Sequence, residues 1–504
     1  MGQSAPTQKK IHIEHSDSTE FEKDFNPDIY VLRGNVVFRH DSTFMYCDSA
    51  YLYDKVNSLE AFDNVRIEQG DTLFIYGDYL NYHGNTAIAE LRYNVRMENN
   101  DVTLLTDSFN YDRNKDIVYY LEGGILIDSL NELSSNYGQY ELNTKLACFQ
   151  ENVRLNNPNF VLTSDTLNYD TNTKIATITG PSIIESDDGW IYSSLGWYNT
   201  ETEESKLYDR STVVSEDKNK FVTADSMYFN RLSGDGEAFS NILINDTAKK
   251  FILTGNYSYF NEKTDFAFVT DSAQFIEYSQ KDSLFLHGDT LLLLTVGEND
   301  REIKAFYGVR FYRTDLQGIC DSMQFNTRDS LLYLIQDPVL WNTDYQITGD
   351  TIVLFFNDST IDRVHVINHA FATEQVDSTY FNQLKGKLLY AYFDGGELYR
   401  VDVDGNAETI YYPVDAPGVF IARNKTESSF FSVTVENREP VKIVIWPSSS
   451  GTSLPLPDLT PESKFLKDFY NYDYLRPVDK SDIFIKKHRK KEDTPPPRKI
   501  RNFE

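Results

Sequence analysis

Apolar and polar residues alternate with period two through most of this chain, in two short patterns that return about every thirty residues. The stretch "TDSFNYDRNKDIVYYLEGGILIDS" at 106–129 holds both. Its first half comes back as "SDTLNYD" at Ser164, "ADSMYFN" at Ala224 and "CDSMQFN" at Cys320. The other pattern reads "AFDNVRIEQ", "ELRYNVRMEN", "FQENVRLNN" and "AFYGVRFYR". Such alternation marks strands with one apolar and one wet face.

Two anchors set the repeat. The first, a small or acidic residue before the alternation, falls at Asp17, Asp48, Asp78, Asp107, Asn136, Asp165, Ser194, Asp225, Asn256, Asp289, Asp321, Asp350 and Lys387. The second, mostly Asn, Gly or Pro before an aliphatic residue, falls at Asn35, Asn64, Asn94, Gly124, Asn152, Pro181, Ser211, Asn241, Ser272, Gly308, Pro338, His369 and Asn406. That makes thirteen units, with first-anchor spacings of 31, 30, 29, 29, 29, 29, 31, 31, 33, 32, 29 and 37. The Asn, Asp and Gly positions read as turns between strands, because these residues tolerate positive φ or bond back to their own backbone.

One face of each strand is apolar. Behind second anchors it carries Val65 and Ile67, Val95 and Met97, Val153 and Leu155, and Val309 and Phe311, each pair flanking an outward arginine. Behind first anchors it carries Leu80 and Tyr82, Phe109 and Tyr111, Leu167 and Tyr169, and Met227 and Phe229. It continues through Phe260, Leu291, Leu293, Met323, Phe325, Ile352 and Leu354. These residues line an interior, and the pattern leaves open whether that interior holds a ligand or closes on itself as a core.

A 29-residue unit has a contour of roughly 95 Å and cannot bury its apolar face alone, so neighbours must stack. The expected fold is all-β, an elongated repeat array forming an open β-jellyroll or taco of two facing sheets over residues 11–412. One strand per sheet per unit would give a rod of roughly 60 Å, and two would double it. Residues 1–10 read as a disordered N-terminus. Residues 413–447 read as an antiparallel cap, as atypical terminal repeats do. "SSSGTSLPLPDLTP" opens a linker with one short helix over 448–479, and 480–504 reads as a basic disordered tail.

Composition supports strands: 34 Tyr and 33 Phe stand against 5 Met and 4 Trp. The formal net charge of -29 counts against binding nucleic acid or an anionic membrane surface. Three cysteines, far apart, offer neither a disulfide framework nor zinc spacing. Cys47 and Cys320 sit just before the anchor Asp of their repeats and read as small hydrophobes. No apolar run reaches the length of a membrane helix. "MGQSAPTQKK" lacks a signal-peptide core, and a signal already removed would leave no trace.

Candidate chemistry is thin. His365 and His369, in the strand-like "VHVINHA", do not face one metal. "DVDGNAE" at Asp402 reads as a hairpin, its Gly too early for a calcium loop. The repeated anchor Asp reads as a turn cap or a polar ladder, since a calcium β-roll needs Gly-rich nonapeptides. The chain has no GxSxG, P-loop, dinucleotide fingerprint or HExxH. The reading is a non-enzyme without cofactor or metal.

The N-terminal repeats, with "RGNVVFRHDSTFMYCDSAYLYD" and "TDSFNYD" as recurring marks, resemble the OstA/LptA family of lipopolysaccharide-transport proteins, and more closely its long OstA-like variety. The likeness runs over about 10–410, and "NKTESS", "IVIW" and "RPVDKSDI" share it further on. The resemblance implies a periplasmic bridge in which a β-jellyroll trough holds the acyl chains of lipopolysaccharide while sugars and phosphates hang outside. It also implies edge-strand joining to like-folded inner-membrane and outer-membrane partners, and self-association head to tail. Two other classes remain open: a structural or adhesive β-solenoid with a closed core, and a carbohydrate-active β-helix.

Overall fold

The computed structural model of the chain describes residues 10–491 except 22–27, 280, 297–299, 358–359, 417–418 and 438. Of the expected disordered ends 1–10 and 480–504, residues 1–9 and 492–504 lie outside those residues, whereas 480–491 are described and include a 3-10 turn at Asp482–Phe484.

The anchors do not separate strands; they bend them. Ile88–Asn99 runs through the second anchor at Asn94, and Leu73–His83 runs through the first anchor at Asp78. At each anchor the pairing skips, between Arg92 and Val95 and between Tyr76 and Tyr79. Two successive residues are left-handed at Asp63–Asn64, Tyr93–Asn94, Glu151–Asn152, Ser240–Asn241 and Asn368–His369, with φ from 47° to 67°. These are β-bulges, which turn a strand sharply, and Asn is among the few non-glycine residues that accept this backbone. The hairpin turns lie elsewhere, as at 100–101 and 113–116. Turns and bulges share one composition, so the sequence reading exchanged them.

Each long strand thus folds over a hinge line, one half in each of two leaves. Leaf A holds the segments from a second anchor to the next first anchor, such as 95–106, and leaf B the segments from a first anchor onward, such as 108–120. Every repeat adds two antiparallel strands to each leaf. In the middle repeats the hinge splits the strand outright. Ile117–Tyr120 and Gly124–Ile127 flank Gly123 at φ 96°.

The chain divides into two units, Met1–Gly236 and Glu237–Glu504. The second uses the same device, as where Arg301–Arg313 pairs with Leu316–Asn326 and skips between Phe306 and Val309. "DVDGNAE" is not a hairpin. It lies inside the strand Glu397–Tyr411, where Gly405 and Asn406 form the bulge. The ladder also continues past 412, where a separate cap was expected. Ala422–Glu436 pairs with Glu397–Tyr411, then carries Glu439–Trp446 in leaf B and Ser450–Pro455 in leaf A.

The segment from Leu456 turns back as a strap across the outer face of leaf A in the second unit. The Gln383 side chain donates to Lys464 O at 3.0 Å and accepts from Leu466 N at 2.8 Å. Gln346 repeats the arrangement with Tyr470 O and Tyr472 N. Tyr472 and Leu475 pack on Val339 and Trp341, and Leu466 on Phe371, Ile410 and Tyr412. Arg310 Nε donates to Ile483 O, and Phe484 lies 4.7 Å from the His287 ring. Linker and helix were expected here, but among the described residues the strap holds short 3-10 turns and no α-helix. Alternate strand residues left a polar-looking outer face whose large side chains, Trp341 and Phe371, await a cover; that part of the pattern gave no hint of the strap.

Candidate functional site

The candidate site is the apolar interior between the leaves, where the expected lining residues fall. Strand alternation and burial turn the expected lining residues inward. In the first unit Leu80, Phe109, Tyr111, Leu167 and Tyr169 are fully buried, as are Val65, Ile67, Val95, Met97, Val153 and Leu155 to within 2%. Met227 is buried and Phe229 partly exposed. In the second unit Leu291, Met323, Ile352, Leu354, Val309 and Phe311 are buried, whereas Phe260, Leu293 and Phe325 are partly exposed. The outward arginines rest on the neighbouring strand: Arg66 covers the Tyr46 ring at 4.3 Å and Arg96 covers Tyr76 at 4.8 Å.

Leaf B carries two inward rows, one beside the hinge and one at the mouth. In the first unit the mouth row is a cross-strand ladder of tyrosines and small residues. It runs Tyr82, Ala89, Tyr111, Val118, Tyr140, Ala147, Tyr169, Ala176 and Tyr198, each paired with the next. Three of these hydroxyls reach across the mouth to the far end of leaf A. Tyr82 meets the His40 ring and accepts from Arg113 at 2.5 Å. Tyr111 donates to Gln69 at 2.9 Å. Tyr169 donates to the Asp128 carboxylate at 2.5 Å and accepts from Asn131 at 2.8 Å. Lys174 closes the last of these onto Asp128 at 3.1 Å.

The electrostatics keep these groups in their bonding forms. Burial pushes the Tyr82, Tyr111 and Tyr169 hydroxyls up, with the Asp116 charge adding to Tyr111 and the Asp128 bond adding to Tyr169. They therefore stay protonated. Burial opposes the Asp128 charge, yet bonds from Tyr169, the Leu130 and Asn131 backbone and Lys174 hold its carboxyl below the usual carboxylate range.

Sequence reasoning placed the tyrosines inward but missed what they touch. His40, Gln69, Arg113 and Asp128 sit at strand ends, where polarity reads as a turn. A signal was present four residues past the first anchor. That position is Tyr in five successive repeats, 82 to 198, and then Phe229, Phe260, Leu293, Phe325 and Leu354. His365 and His369 do not meet: His365 stacks on Tyr390 at 4.3 Å, and His369 bonds Asp350 at the hinge. Among the described residues no group of three His, Cys, Asp or Glu could hold a metal.

Residues 8–165 and 143–221 match the family described as OstA-like protein. Over residues 8–221 the chain is similar to OstA-like proteins. The likeness read from the sequence extended to 410; the family match ends at 221, and beyond it the hinge bulges carry the repeat onward. No curated protein matches the chain. Among solved structures it is similar to LptH of Pseudomonas aeruginosa, described as the LptA homologous periplasmic component of the conserved lipopolysaccharide transport device. That match is 13% identical, covers 22% of this chain and 79% of that one, and has a TM-score of 0.20. No helix of the described residues is long and apolar enough to cross a membrane.

Proposed function

We propose that this chain is a bridge for lipopolysaccharide in the periplasm, taking the acyl chains between its two leaves and leaving sugars and phosphates outside. The observation that carries the reading is the continuity of the inward apolar rows from repeat to repeat. Buried apolar contact stabilises an acyl chain by about 0.8 kcal/mol per CH₂, and a row of near-equivalent sites lets it slide without a steep climb. No chemistry is required, in keeping with a family that transports rather than transforms. The fold then works as an open jellyroll of about thirteen repeats whose terminal strand edges join like-folded partners at the two membranes, or further copies of itself, by β-augmentation.

A photocrosslinking residue at Phe229, which faces inward, and another at Tyr228, which faces outward and bonds Glu204, test the reading in cells. Lipopolysaccharide adducts at 229 alone support it. Adducts at neither, with other inward positions blank in folded protein, favour the second reading, a structural solenoid with a closed core. The buried interior of the first unit is the observation on that side.

A further inference from the structure

The two units close their mouths differently, and we infer that acyl chains enter directly along the mouth row of the second unit, whereas in the first a tyrosine latch must open before they can enter. The inference rests on the lipid-binding reading above and says where in the chain it operates. In the first unit every second member of the mouth row is a buried tyrosine, and Tyr82, Tyr111 and Tyr169 are bonded across to His40, Gln69 and Asp128. A chain entering there must break buried hydrogen bonds, among them the one from Tyr169 to the Asp128 carboxylate.

In the second unit the same row reads Phe260, Ala267, Leu293, Ile303, Phe325 and Leu332, each paired with the next, and all six are partly exposed. No member has a hydroxyl with which to latch. Beneath it the hinge row is shut, with Val269 and Ala305 fully buried, and the mouth row itself closes again at Leu354. The result is a partly exposed apolar row, bounded below by the buried hinge row and at one end by buried Leu354.

Its chemistry selects the occupant. The strands are paired on both sides, so a peptide would find no main-chain groups to bond. The row presents no polar side chain, so a sugar would lose its hydrogen bonds. Five strand spacings at about 4.8 Å give roughly 24 Å, longer than the ~15 Å that one leaflet's acyl layer occupies. A thin, wholly apolar chain is what fits.

The test uses the unmodified full chain with lipopolysaccharide carrying a photoreactive group on an acyl chain, and maps labelled peptides by mass spectrometry. Labelling at least about tenfold greater on peptides holding Phe260, Leu293 and Phe325 than on those holding Tyr82, Tyr111 and Tyr169 is expected, each lost hydrogen bond being worth roughly a factor of ten. The Tyr82→Phe, Tyr111→Phe, Tyr169→Phe variant should raise labelling of the first unit several-fold. Equal labelling of both units in the unmodified chain overturns the inference and leaves the lipid-binding reading standing. Labelling of the first unit alone overturns it too, and an unaltered pattern in the triple variant removes the latch from it. No labelling anywhere overturns both inference and reading.

Discussion

The side chain of Asn94 donates to the Asp78 carboxylate at 2.6 Å, tying the second anchor of one strand to the first anchor of its neighbour across the hinge. Asn64 with Asp48 and Asn35 with Asp17 repeat the bond at 2.7 and 2.9 Å, and His369 with Asp350 does so at 3.0 Å. The repeated anchor Asp is therefore not a turn cap in these repeats. It holds the bend that makes two leaves out of one strand.

Two costs meet at Asn94, because its φ of 52° suits Asn and its amide serves the bond. Asn94→Ala should lower stability by about 1–3 kcal/mol, and Asn94→Gly by less, since glycine keeps the backbone while losing only the bond. Thermal melts of the two variants against the parent check the order. Glycine no better than alanine would mean that the backbone conformation contributes nothing at the hinge.

Asp128 makes the first unit sensitive to acid. Its folded pKa lies below its unfolded value, so its stabilisation is present above the ordinary carboxylate pKa and is lost as pH falls through the folded value. Asp128→Ala leaves the mostly buried Lys174 with only its longer contact to Asp101 at 3.8 Å and takes the acceptor from the buried Tyr169 hydroxyl, and should cost on the order of 3–5 kcal/mol at neutral pH. Melting of parent and Asp128→Asn from pH 7 downwards is the measurement. A parent whose acid loss matches that of the variant would show that another carboxylate sets the profile.

What the sequence made legible follows from which interactions are local. The inward positions of Leu80, Phe109 and Met97 could be read because a strand exposes its faces every second residue. The repeat could be read because each unit meets the same neighbours. The bulges were misplaced because Asn94 in a bulge and Asn100 in a hairpin turn both take a left-handed backbone, at 52° and 56°, and only the pairing distinguishes them. The latch and the strap were illegible for another reason. Tyr82 and His40 are 42 residues apart, and Gln346 and Tyr472 are 126 apart. No period links such positions.

The strap offers a third prediction. Gln346 is buried and spends both ends of its amide on the strap's main chain, so Gln346→Ala frees Tyr470 O and Tyr472 N together. With each bond worth about 1 kcal/mol, local opening of 456–491 should rise by roughly tenfold or more. Hydrogen exchange at Tyr472 and limited proteolysis of the strap report it, with the repeats unchanged. Faster exchange spread over the leaf A strands as well would show that strap and leaf open as one body.

The C-terminal end of the ladder carries the last. Glu439–Trp446 pairs on one side only among the described residues, with Ala422–Glu436, and leaves Val441, Ile443, Val444 and Trp446 exposed, the last at 65%. An apolar strand edge of this kind is a template for further pairing, and natural edges are usually blunted with charge. If the edge joins a second copy, burying Val441 and Ile443 there contributes about 1.5–3 kcal/mol each. Val441→Lys with Ile443→Lys should then weaken self-association by more than about tenfold, read as a shift in the concentration dependence of sedimentation. Because both side chains are exposed, the substitutions leave the fold's stability within about 0.5 kcal/mol, so a change in sedimentation with an unchanged melt isolates the edge. Association that persists unaltered in the double variant would move the joint between copies to another surface.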